Sequence, residues 1–261
     1  MRWLSLDIVL GGAIFLFFIG DQLQVTIPLP VLSALGICIW LIYTLDHQRD
    51  IALGHLLGDR RVFHWAHRRL IRTGVGLLGL IGVFILFLLP KILLIWGSMI
   101  ALICGVYLLT ARWLAKIMIK EVMVAMLYAC GIFLYPVTQV KQFDGMHLIF
   151  ALQLMFLAFA NIVLISRFEL KEDRRNGVGS MVQSMGMKVS GQLIFIILSF
   201  LLSSALIIGL NDPLFFELEI VYFVASTQLM LIYGFPHWFL ARERYRAYAD
   251  AIFFYPLVFL L

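Results

Sequence analysis

Two stretches of the chain place carboxylates four residues apart in one frame: Ile42-x3-Asp46-x3-Asp50-x3-Gly54 and Ile165-x3-Glu169-x3-Asp173-x3-Gly177. Residues at that spacing share a helix face, so each copy presents a two-pronged acidic patch. Like charges so placed cost a helix about 0.2–0.5 kcal/mol. Acids near a helix C-terminus also oppose its dipole by about 0.3–1 kcal/mol each. A divalent cation would reverse the sign of both effects, because Mg2+ is commonly held by one or two carboxylates together with substrate phosphate oxygens. Asp46, Asp50, Glu169 and Asp173 are therefore the candidate catalytic and metal-binding residues, with Mg2+ as cofactor and a polyanion as substrate. Arg60, Arg61, Arg112, Lys120 and Arg174 are candidates for the phosphate oxygens of that substrate, Arg as a bidentate fork and Lys as a point charge. Tyr43 and Tyr107, with Trp40 and Tyr128, lie on helices near the same level and offer aromatic faces, although aromatic residues on membrane helices more commonly pack or sit in interfacial belts. Asn161, one turn before Ile165, could act as a polar ligand or as an interhelical hydrogen-bonding group.

The elements that would position these residues are membrane helices. Hydrophobic residues make up 63% of the 261-residue chain and charged residues 13%, with a mean hydropathy of +1.00. That composition excludes an ordinary soluble domain. With about 20 apolar residues needed per span, the chain divides into about nine stretches: 4–20, 28–45, 69–90, 92–111, 121–140, 145–166, 189–210, 214–234 and 246–261. The predicted fold class is an all-α, polytopic membrane protein, with residues 1–261 as a single transmembrane helical domain. Lys and Arg sort onto one set of loops, leaving only Lys91 and Lys141 on the other side. By the positive-inside rule, the N-terminus and both acidic repeats are expected on the cytoplasmic side. In a prokaryotic host this is an inner-membrane protein. The net charge of +5 follows from that sorting and from contact with anionic lipids, and implies no nucleic-acid partner.

The inner segments 46–68 and 167–188 read as long loops, where chemistry or gating belongs, while the turns at Pro90-Lys91 and Asn211-Asp212-Pro213 are tight. The apolar stretch after Arg2 is preceded by Asp7 and lacks a small-x-small cleavage site, so it reads as a first span rather than a secretory signal. Cys38, Cys104 and Cys130 have no disulfide or zinc spacing and read as small core residues. His55, His64 and His67 match no strong zinc pattern and read as residues of a solvated or headgroup-facing loop. Gly74, Gly76, Gly79 and Gly82 permit close helix packing.

In the order of its helices and the placement of both acidic repeats, the chain resembles the UbiA-type intramembrane prenyltransferase superfamily. The first motif of that family reads roughly N-D-x-x-D-x-x-x-D; here Asp46 and Asp50 match its last two acids, while Ile42 and Tyr43 stand where Asn and Asp are usual. In the second motif Glu169, Asp173, Arg174 and Gly177 occupy the corresponding places, with Ile165 and Ser166 in the leading positions. Tyr107 followed by Lys120-Glu121 is a further likeness. The resemblance implies a nine-helix UbiA-like bundle and transfer of a prenyl group from an isoprenoid diphosphate to an aromatic or lipidic acceptor. It implies Mg2+ bridging the carboxylates and the diphosphate, with membrane lipids around the bundle. An alternative reading is a non-catalytic UbiA-like lipid-binding or assembly protein; a further one, suggested by the paired acidic halves, is a small transporter.

Overall fold

The computed structural model describes residues 2–52, 54, 59–116, 118–177 and 179–261. Its elements are helices throughout: α1 (Leu6–Gln22), α2 (Leu29–Ala52), α3 (Asp59–Ala66), α4 (Arg68–Leu86), α5 (Lys91–Lys116), α6 (Lys120–Gln139), α7 (Gly145–Asn176), α8 (Met181–Asn211) and α9 (Phe216–Gly234). Short helices α10 (Pro236–Phe239), α11 (Arg244–Ala251) and α12 (Leu257–Leu260) follow. Among the described residues, seven helical segments are long and apolar enough to cross a bilayer: α2, α4, α6, α7, α8, the Lys91–Thr110 part of α5, and Pro213–Gly234, which includes α9. The chain is thus an all-helical, polytopic integral membrane protein. Two of the expected spans fall outside these seven. Helix α1 has 17 residues, about 25 Å at 1.5 Å per residue, short of a bilayer core of about 30 Å. The terminal stretch 246–261 is divided into α11, a 3-10 turn at Ile252–Phe254 and α12, with Pro256 preceding the last piece.

The exposed surface of α4 and α5 carries large apolar side chains, among them Leu80, Phe84, Phe87, Leu102 and Leu109. An apolar surface on this scale would not be left to water, and in a bilayer it is the face that lipid covers. The inner core has a different source. It draws Phe15 and Phe18 from α1, Ala125 and Ile132 from α6, Leu154 and Leu157 from α7, Leu198 from α8 and Tyr222 from α9. Helix α7 is the central element, packed against α6, α8 and α9. Small residues let α1 approach its own neighbours: a Cβ on Gly12 would meet Ile39 Cδ1 of α2 at 2.6 Å, and one on Gly11 would meet Phe253 of the terminal segment at 2.7 Å.

The two segments expected to be long inner loops are largely helical. Helix α2 continues to Ala52 and α7 to Asn176, so the acid repeats sit on rigid terminal turns rather than on loops. The same i, i+4 spacing that identifies the repeats allows the helices to continue through them. Each copy ends in a glycine with positive φ, 84° at Gly54 and 66° at Gly177. A glycine of this kind stops a helix by adopting the left-handed conformation after its last turn. Both short turns, at Pro90-Lys91 and Asn211-Asp212-Pro213, are tight as expected, and Asp212 Oδ1 accepts from the Leu214 amide at 3.2 Å, capping the second of them.

Several minor expectations change. Cys104 is buried, but Cys38 and Cys130 are exposed on the apolar surface rather than held in the core. His64 is fully buried, with Nε2 2.6 Å from the Trp3 carbonyl, because α3 folds back under the N-terminus. His55 lies outside the described residues. Gly74 and Gly82 face α2 at Trp40 and Ile37, whereas Gly76 and Gly79 meet nothing within 4 Å.

Candidate functional site

Three helices contribute one face each to a single cavity of about 620 Å³. From α2 come Tyr43, Asp46, His47 and Asp50, residues spaced by three and four. From α7 come Ala158, Asn161, Ile162, Ile165, Ser166, Glu169, Glu172 and Asp173, again one helical face. From α6 come Lys120, Glu121, Val124 and Tyr128. The i, i+3, i+4 and i+7 recurrence on each helix explains how a short list of polar residues converges. Arg60 and Arg61 enter from α3, and Arg246 and Asp250 from α11.

Both acid repeats therefore open into the same space, although 123 residues separate them in the chain. Of the residues singled out from sequence, Asp46, Asp50, Glu169, Asp173, Arg60, Arg61, Lys120, Tyr43 and Asn161 line the cavity. Tyr107 is buried but does not line it, and Arg174 is exposed at the end of α7. The Arg112 side chain lies outside the described residues.

The partners of the acids differ between the two copies. In the second, Glu169 Oε1 accepts from Arg246 Nε at 3.0 Å, from Arg246 Nη2, and from the Tyr245 hydroxyl at 3.3 Å. Arg61 bridges Glu172 at 3.1 Å and Asp173 at 3.8 Å. In the first copy, Asp46 Oδ1 is buried and has no hydrogen-bond partner. Glu121 Oε1 accepts from the Met181 amide at 2.7 Å, while its Oε2 is buried without a partner. Asn161 donates to Asp250 Oδ1 at 3.3 Å, and its own Oδ1 is likewise orphaned.

Among the described residues, eight carboxylates line the cavity against four Lys and Arg side chains. A chamber with that excess attracts cations. Arg60 is one of the four; its guanidinium bonds to the Ser5 hydroxyl. Burial, reinforced by Arg246, lowers its pKa to about 10, which leaves it charged at neutral pH. Among the described residues, no three His, Cys, Asp or Glu side chains stand close enough to form a preformed metal cage. A cation completed by substrate oxygens does not need one.

Sequence reasoning missed Glu172, Tyr245, Arg246, Asp250 and the role of Glu121. Asp250 carried a usable signal, since a carboxylate in an otherwise apolar terminal segment marks a functional position by default. Compared with protein-family models, with curated proteins and with solved structures, the chain matches none.

Proposed function

We propose that the chain transfers a prenyl group from an isoprenoid diphosphate to an aromatic or lipidic acceptor within the membrane. The observation that carries this reading is the convergence of both acid repeats, with Arg60, Arg61 and Lys120, on one cavity at the ends of apolar helices. An isoprenoid diphosphate is a doubly suited ligand, with a charged head for the cavity and a hydrocarbon tail for the bundle. In the same reading α1 and the broken terminal segment complete a nine-span, UbiA-like bundle of a prokaryotic inner membrane, with the cavity open to the cytoplasm.

The donor set suits Mg2+. Asp46 has an unpartnered buried oxygen, Asp50 follows one turn later, and the surplus of carboxylates calls for added positive charge. Mg2+, when bound, would neutralise charge growing on the diphosphate. Lys120, Arg60 and Arg61 hold and orient its oxygens. The allylic C–O bond then breaks, the diphosphate leaves with the electron pair, and the acceptor's nucleophilic carbon or oxygen forms the new bond and releases a proton. Carboxylates on the cavity wall can take that proton, and Tyr43 and Tyr128 offer aromatic faces to the electron-poor carbon.

Replacing Asp46 by Asn should lower Mg2+-dependent consumption of a prenyl diphosphate by purified protein at least about 100-fold, the usual scale for losing electrostatic stabilisation of a developing anion. Turnover unchanged in D46N would sink the proposal. A second reading, a non-catalytic lipid-binding protein of the same fold, draws on the Arg246–Glu169 pair, which satisfies one motif acid without metal. Retention of a polyprenyl lipid by protein that binds neither diphosphate nor Mg2+ would favour it.

A further inference from the structure

The two acid repeats are near-duplicates in sequence but not in their surroundings, and the difference has a chemical meaning for the site proposed above. We infer that only the Asp46/Asp50 half takes a divalent cation, while Arg246 and Arg61 serve as built-in counter-cations for Glu169, Glu172 and Asp173. This inference rests on the diphosphate-binding reading and deepens it, since it sets how many metal ions the site holds and where.

The second half already carries two guanidinium counter-charges against its three acids. Three donors from Arg246 and Tyr245 converge on one oxygen of Glu169, more than the two lone pairs of that oxygen can accommodate strongly. Arg61 spans Glu172 and Asp173. A guanidinium does not deprotonate in a protein, so neither pair opens by losing a proton. A metal ion taking Glu169 Oε1 would have to displace Arg246, leaving a largely buried cation in a cavity that Arg60 and Arg61 also line.

The first half has the opposite character. Among the described residues Asp46 Oδ1 is buried with no hydrogen-bond partner, and two further side chains that line the same cavity carry unsatisfied acceptors. These are Glu121, 3% exposed, and Asn161, 4% exposed, with Oε2 and Oδ1 unpartnered. All three atoms are oxygens that can only accept while the acids are ionised. Oxygen acceptors of this kind suit a hard cation and its bound waters. A diphosphate in the cavity would then meet the metal together with Lys120 and the guanidinium groups of Arg60 and Arg61. Arginine forks match phosphate oxygens bidentately, so the guanidinium groups can hold phosphate without a second metal.

The test is a count of metal ions. Full-length protein in detergent is titrated with Mn2+ in the presence of inorganic pyrophosphate, and bound Mn2+ is quantified by electron paramagnetic resonance. One Mn2+ per chain is expected, with affinity reduced at least about tenfold in D46N, and in E169Q unchanged stoichiometry and affinity within about threefold. Two Mn2+ per chain, with the broadened signal of a coupled pair, would overturn the inference while leaving the diphosphate-binding reading intact. Loss of binding in E169Q but not in D46N would overturn it by reversing the halves. If no Mn2+ binds and pyrophosphate is not retained, both the inference and the reading beneath it fail.

Discussion

Glu169 shows how far the character of a residue is set by its partners. By spacing it is the twin of Asp46, yet its carboxylate is held by Arg246 and Tyr245 while Asp46 Oδ1 has no partner. Breaking a buried pair by deleting one member costs about 3–5 kcal/mol. Because this pair lines a water-accessible cavity, Arg246→Met should fall at or below the lower end of that range. Thermal unfolding in detergent measures it, and the double variant R246M/E169L should recover most of the loss; additive losses would show that the pair is not coupled. His64 offers a pH-dependent counterpart. Burial, opposed in part by the bond to the Trp3 carbonyl, holds its pKa below the usual 6.5. The unfolded chain therefore takes up a proton at His64 before the folded protein does. Its contribution to stability is fully present above about pH 6.5 and is lost as pH falls from there toward the lower, folded-state value. The unfolding temperature should decline across that window more steeply in the parent protein than in His64→Phe, and identical slopes would remove His64 as the cause.

At the scale of elements, the terminal turns of α2 and α7 carry the site, and a glycine ends each. A Cβ at Gly177 would meet nothing within 4 Å, so the obstacle to substitution is the φ of 66° alone. Gly177→Ala should cost about 1–2 kcal/mol, and Gly177→Asn less, because Asn tolerates the left-handed region. Equal unfolding temperatures for parent and G177A would mean that the turn is not needed to end the helix. The element scale is also where sequence and structure part. The apolar runs announce the cores of α2, α4, α5, α6, α7, α8 and α9, since no soluble context could hide them. Their inner boundaries were not legible, because charged turns such as 167–176 look like loop when hydropathy is the guide, even though their i, i+4 acids are spaced for a helix. The acids themselves were legible from periodicity. Arg246 was not: it meets Glu169 across 77 residues of chain, through a terminal segment whose bend depends on packing against α1 and α7. Local spacing cannot encode that contact.

At the scale of the whole molecule, the proposed chemistry depends on both repeats opening on one side of the membrane, and the positive-inside rule makes the cytoplasmic side the expected one. Lys141 and Asp144 lie at the start of α7, and Arg174, Arg175 and Gly177 lie at its other end. With 32 residues, α7 is about 48 Å long at 1.5 Å per residue, so its last turns project beyond a hydrocarbon core of about 30 Å. Placing Lys or Arg side chains within that core costs about 2.5–3.5 kcal/mol each on insertion scales, and nearly all of those in this chain fall on the set of loops that includes both acid repeats. In a variant with Cys38, Cys104 and Cys130 replaced by Ala, single cysteines placed at Gln142 and at Gly177 should respond oppositely to a membrane-impermeant maleimide applied to intact cells. Gln142→Cys should label at once and Gly177→Cys only after the cells are broken. The reverse pattern would put the cavity on the outer face, away from a cytoplasmic supply of diphosphate, and the prenyl-transfer reading would lose its substrate. Labelling of both positions in intact cells would mean that α7 does not cross the membrane, and the shared cavity would then need another explanation.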